Sequence, residues 1–87
     1  MYSVIILPKA ERQLKKLAKR HSPLYPAIAR GVTSLANWPN VKSVKRLVNH
    51  KHGYRLRVGD YRILFDVRDE VKVIDVQEVK KRDERTY

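Results

Sequence analysis

The sequence predicts an α+β domain in which a helical hairpin packs on an antiparallel-rich sheet. Three observations lead there. Apolar residues recur at helical spacing in two stretches, roughly 8–19 and 22–35. From residue 53 onward the pattern turns to alternation and Val/Ile-rich runs, the mark of strands. Between two such runs stands Gly59-Asp60, a two-residue turn whose leading Gly suits the positive φ of a tight hairpin. Eighty-seven residues make a single domain, 1–87, with a small core.

Taken in order, residues 2–7 read as a short apolar strand that ends at Pro8. Pro8 suits the first turn of a helix running to about Lys19, with Ala10, Leu14, Leu17 and Ala18 as its apolar stripe. Lys9, Arg12, Lys15, Lys16, Lys19 and Arg20 line the other face, which is either a solvated helix face or a docking face for RNA or a partner. Ser22-Pro23 reads as N-cap and first turn of a second helix, with Leu24, Ile28, Val32 and Leu35 facing the core and Gly31 weakening it slightly. Asn37-Trp38-Pro39-Asn40 stops that helix, with Trp38 as a plug in the core or a lid over the helix ends. Residues 44–48 form a strand, Asn49-His50-Lys51-His52 a loop, and 53–66 the hairpin. After a turn at Arg68-Asp69-Glu70, residues 71–79 make a further strand, and Lys80 to Tyr87 leave the sheet.

Pairing across Gly59-Asp60 sets Val58 opposite Tyr61, Arg57 opposite Arg62 and Leu56 opposite Ile63. Side chains alternate faces, so Arg55, Arg57 and Arg62 project from one side, and Tyr54 and Tyr61 from the core side. Like charges directly opposite one another destabilise a hairpin. A polyanion lying across the face reverses the sign of that cost, and forked guanidiniums grip phosphates well.

Charge distribution points the same way. The formal net charge is +11 and the isoelectric point near 10.3. Residues 1–62 hold fourteen Lys and Arg against only Glu11 and Asp60, whereas 63–87 are close to neutral. Such a chain seeks an acidic partner, and nucleic acid is the leading one. The bland alternative for the arginine face is an acidic protein groove. An anionic membrane surface also attracts such a charge. No run, however, approaches the roughly 20 apolar residues of a span, and no segment carries the bulky amphipathic face that surface binding needs, so nucleic acid is preferred and no membrane partner is expected. Val4 to Leu7 is too short for a signal peptide, and the chain has no Cys, so the expectation is a cytoplasmic protein. His50 and His52 stand two apart with no carboxylate beside them to complete a ligand set, so neither metal nor cofactor is expected.

What remains suits phosphodiester cleavage in RNA. That chemistry needs a base for the 2′-OH, cations for the developing phosphorane charge and an acid for the leaving 5′-oxygen. Arg55, Arg57 and Arg62 supply charge stabilisation. Arginine stays protonated at neutral pH, so the proton-transfer candidates are His50, His52, Lys51, Lys81 and Tyr87, with base stacking a second role for Tyr87.

These residues carry a resemblance. Leu14-Lys15-Lys16-Leu17, Lys45-Arg46-Leu47, the stretch Gly53-Tyr54-Arg55-Leu56-Arg57-Val58-Gly59-Asp60-Tyr61-Arg62-Ile63-Leu64-Phe65 and the ending Lys80 to Tyr87 make the chain similar to RelE/ParE-superfamily toxins of toxin–antitoxin pairs. The resemblance covers essentially the whole chain. It implies a fold like the microbial ribonucleases, with two N-terminal helices on a twisted, mostly antiparallel sheet. It also implies a cognate acidic antitoxin that wraps the toxin and blocks its basic face, the pair binding operator DNA through the antitoxin. The RelE branch cleaves mRNA in the ribosomal A site and leaves a 2′,3′-cyclic phosphate, whereas the ParE branch inhibits DNA gyrase without such chemistry.

By that resemblance Arg55 and Arg57 take two positions that are lysines in the best-known RelE, and Arg62 takes that of an arginine at the scissile phosphate. Tyr87 matches a C-terminal Tyr preceded by a basic residue, a place open to Lys81, Arg82 or Arg85. The site expected is therefore Arg55, Arg57, Arg62, Lys81, Arg82 and Tyr87 for catalysis. Lys45, Arg46, His50, Lys51, His52 and Arg85 are expected to bind RNA. The constellation Arg55, Arg57, Arg62 and Tyr87 favours the mRNA nuclease over the gyrase inhibitor. An inactive module that acts only with its antitoxin at operator DNA is the third reading.

Overall fold

Five strands form one mixed sheet in the order β1-β5-β4-β3-β2, with both helices on one side. The structure is a computed structural model and describes residues 1–81. Chain order is β1 (Ser3–Ile6), α1 (Pro8–Arg20), α2 (Tyr25–Ser34), a single 3₁₀ turn (Leu35–Asn37), β2 (Val44–Arg46), β3 (Tyr54–Val58), β4 (Tyr61–Arg68) and β5 (Val73–Lys81). The β1–β5 pair is parallel, because the helices carry the chain back over the sheet before β2. All other pairs are antiparallel.

Pro8 starts α1, and Ala10, Leu14 and Leu17 bury its apolar stripe as their spacing predicts. The second helix begins later than Ser22-Pro23 suggests. Residues 22–24 form a turn, α2 starts at Tyr25 with Pro26 in its first turn, and no side chain caps it. Leu24 consequently stays 46% exposed instead of facing the core. Ile28, Val32 and Leu35 are buried as expected. Trp38 plugs the core edge, meeting Tyr54 and Phe65 edge-on at ring distances of 4.9 and 5.5 Å.

The β3–β4 register is the one the turn dictates: Val58 opposite Tyr61, Arg57 opposite Arg62 and Leu56 opposite Ile63. Gly59 has φ +57°, a conformation that glycine adopts without a Cβ penalty. Core-facing residues of the sheet are Leu56, Ile63, Phe65, Ile74, Val76 and Val79. Gly31 is where α2 approaches β3, and a Cβ there would stand 2.7 Å from Val58 Cγ2.

One irregularity shapes everything on the opposite face. Ile63 pairs with Val79 and Leu64 with Glu78, yet Phe65 pairs with Val76, so Gln77 is an extra residue in β5. Strict alternation after Ile74 and Val76 would aim Glu78 into the core. The bulge turns Val79 inward and places Glu78 on the helix-free face beside Leu64. Beyond Val76 the β5 edge is met by α1 instead of β1: the Val79 N–H donates to Gln13 Oε1 at 2.6 Å.

Candidate nucleic-acid interface

The helix-free face carries two cross-strand rows of cations. Arg57, Arg62 and Lys80 lie in register across β3, β4 and β5. Lys45, Arg55 and Leu64 lie in register one step along, on β2, β3 and β4. Neighbouring strands are about 5 Å apart, so each row is a ladder of side chains at roughly the reach of adjacent phosphate oxygens. No carboxylate among the described residues forms an ion pair with Lys45, Arg55 or Arg57. A shallow hollow lined by Ser43, Val44, Lys45, Arg55 and Arg57 opens at this end.

The far end of the face is neutralised. Arg68 makes a two-pronged bond to Asp75, at 2.9 and 3.1 Å. Asp66 pins the 47–53 loop by accepting from the Gly53 N–H at 2.7 Å and facing His52 Nδ1 at 3.1 Å. Positive potential is thus concentrated toward the β3–β4 turn.

Between the two ends Glu78 sits 2% exposed, ringed by three lysines and a histidine. Lys9 Nζ is 2.9 Å and Lys80 Nζ 3.0 Å from its Oε1, while His52 Nε2 is 3.3 Å and Lys51 Nζ 4.0 Å from Oε2. Burial pushes this carboxyl up, but hydrogen bonds and charge from Lys9 and Lys80 outweigh it and hold the pKa down at about 2.

Strand alternation splits the expected site residues. Arg55, Arg57, Arg62 and Lys45 share the face. Arg46 does not: it pairs with Tyr54, whose ring packs on the core side. Lys81 pairs with Tyr61 and likewise belongs to the helix side, so Lys80 holds the place expected of Lys81. The sequence reading missed Lys80 and Glu78, because only the bulge sets their face. His50 accepts the His52 N–H on its Nδ1 at 3.1 Å, so that lone pair is engaged. His52 presents both ring nitrogens to carboxylates, Nδ1 at 3.1 Å from Asp66 and Nε2 at 3.3 Å from Glu78. Arg82, Arg85 and Tyr87 lie outside the described residues. No group of three or more His, Cys, Asp or Glu that could hold a metal occurs among the described residues.

Comparison with known families decides what this architecture is. The model of the ParE toxin of type II toxin–antitoxin systems, parDE, matches residues 4–86. The chain belongs to this toxin family. Solved structures agree. The RelBE2 toxin–antitoxin complex of Mycobacterium tuberculosis matches with a TM-score of 0.73 at 26% identity, over 93% of this chain and 98% of that one. The archaeal RelE–RelB complex of Pyrococcus horikoshii matches with a TM-score of 0.71 at 28% identity, over 98% of both chains. The isolated RelE toxin of Escherichia coli matches with a TM-score of 0.76 at 22% identity, over 99% of this chain and 88% of that one, which speaks to the fold. No curated protein matches the chain closely enough to count as a relative. The toxin is thus a type II toxin of the RelE/ParE superfamily with the α+β fold of RelE. No helix among the described residues is long and apolar enough to cross a membrane.

Proposed function

We propose that this toxin is a ribosome-dependent endoribonuclease that cuts mRNA in the ribosomal A site and so stops translation. The observation that carries the reading is the in-register row Arg57, Arg62 and Lys80, with Lys45 and Arg55 alongside, on a rigid sheet face. In the cleavage, O2′ of the message bonds to phosphorus as its proton leaves to a base. The bond from phosphorus to O5′ then breaks, the 5′-oxygen takes up a proton, and a 2′,3′-cyclic phosphate remains. Negative charge grows on the non-bridging oxygens along this path, and fixed cations aimed there stabilise the transition state more than the ground state. Arg55, Arg57 and Arg62 serve in that role, since a guanidinium keeps its proton. Both His52 ring nitrogens face carboxylates and His50 Nδ1 accepts a backbone N–H, so Lys51 and Tyr87 are the sequence candidates carried forward for proton transfer, with base stacking a second role for Tyr87.

The partners that follow are mRNA on the ribosome and a cognate acidic antitoxin that covers the cationic face, the pair reaching operator DNA through the antitoxin. The relatives solved as complexes with RelB support the antitoxin. A second reading, inhibition of DNA gyrase without nuclease chemistry, is favoured by the ParE model that the chain matches. Primer extension on a defined mRNA in a purified translation reaction separates them. Discrete cuts that appear only on ribosome-occupied message support the nuclease. An intact message, with accumulation of cleaved gyrase–DNA complexes, supports the gyrase inhibitor.

A further inference from the structure

Among the described residues Glu78 is the charged side chain that is buried, and it lies under the cationic face and outside the apolar core cluster. A carboxylate in such a place is costly unless cations and hydrogen bonds surround it. Here they arrive from three elements: Lys9 from α1, Lys51 and His52 from the 47–53 loop, and Lys80 from β5. Lys80 differs from the other two lysines. Lys9 and Lys51 are more than half exposed and reach Glu78 from solvent, whereas the Lys80 side chain is 17% exposed and stands in register with Arg62 and, beyond it, Arg57. Three like charges in one row repel each other. Glu78, two residues before Lys80 on the same face, supplies the opposite charge that keeps the row together.

We propose that Lys80 is a third phosphate-contacting residue beside Arg57 and Arg62, and that Glu78 is the positioning residue that holds its ammonium there. The inference rests on the nuclease reading above and deepens it. An ammonium has three donors. The Lys80 Nζ is ion-paired with Glu78 Oε1 at 3.0 Å, and an ammonium so held has further donors to give to non-bridging phosphate oxygens. Lys9 shares that same Oε1 but tethers α1 and has no place in the row.

The test is single-turnover cleavage of a defined mRNA on programmed ribosomes, at increasing toxin, for the wild type and four variants. These are Glu78→Gln, Lys80→Met, the double variant Glu78→Gln/Lys80→Met, and Lys9→Met. Lys80→Met is expected to lower the saturating rate about 10²-fold, the usual cost of removing one transition-state donor, with the half-saturating concentration little changed. Glu78→Gln is expected to lower it about 10-fold, and the double variant no further than Lys80→Met alone, because the carboxylate acts through the lysine. Lys9→Met keeps the wild-type rate. Where melting shows that Glu78→Gln does not fold, the contrast between Lys80→Met and Lys9→Met carries the decision: equal losses in both overturn the proposal. A wild type that cuts, with Lys80→Met cutting equally fast, overturns this inference alone. A double variant that loses the full product of the two single effects removes the positioning role of Glu78. A wild type that leaves ribosome-held message intact overturns the nuclease reading and this inference with it.

Discussion

Glu78 gives this fold an acid sensitivity that one substitution removes. Its carboxyl has a pKa of about 2 in the folded protein against an ordinary 4.5, because Lys9 and Lys80 hold it ionised despite its burial. A folded-state pKa below the unfolded one means that the unfolded chain takes up the proton first as pH falls. The contribution to stability is therefore complete above about pH 5 and is lost as pH drops from 4.5 toward 2. The gap corresponds to roughly 3 kcal/mol, an upper value because Lys9 and Lys51 reach the site from solvent and salt screens them. Roughly 2 kcal/mol of it is gone by pH 3 by the same relation. The assay is urea unfolding of the wild type and Glu78→Gln at fixed ionic strength between pH 7 and pH 3. At neutral pH the wild type should be the more stable by about 3 kcal/mol, since a buried ion pair has lost one partner. The difference between the two proteins should shrink to about 1 kcal/mol at pH 3, with the other carboxylates titrating alike in both and cancelling. A difference that stays constant across that range would refute the reasoning.

Three further outcomes follow from the same structure. Arg62→Ala should abolish mRNA cleavage in primer extension and Arg57→Ala should cost about 10²-fold or more, because the two side chains stand in register on the helix-free face outside the apolar core; growth arrest and cleavage at the wild-type level in Arg62→Ala would remove it from the site. Gly31→Ala should destabilise by about 1–3 kcal/mol in urea unfolding although alanine is the better helix former, since the new Cβ meets Val58 Cγ2 at 2.7 Å and a β-branched side chain yields poorly, and adding Val58→Ala should restore part of the loss. Phe65→Ala should cost about 3–5 kcal/mol by the same measurement, as a fully buried ring stacked on Tyr54 at 5.6 Å and met edge-on by Trp38 at 5.5 Å.

The sequence by itself determined whatever local physics controls. Gly59-Asp60 admits one tight hairpin register, and alternation from that turn sends Arg55, Arg57 and Arg62 to one face. Helical periodicity marked Ala10, Leu14, Leu17, Ile28 and Val32 for the core, and the basic excess named an acidic partner. Each of these rests on residues close in the chain. The start of α2 was misread because Ser22-Pro23 and Tyr25-Pro26 both offer a helix start, and only packing on the sheet chooses between them. The other features that the tertiary structure decided depend on neighbours far apart. Whether Lys80 or Lys81 joins the arginines turns on one extra residue in β5, a bulge that no local pattern announces. Arg46 falls on the opposite face from Arg55 and Arg57 because β2 takes its register from β3 across a seven-residue loop. Glu78 reads along the chain as one more strand residue among Val and Lys. It becomes a buried anion only when α1, the 47–53 loop and β5 converge on it, because its stabilisation comes from charges that the chain brings together only on folding.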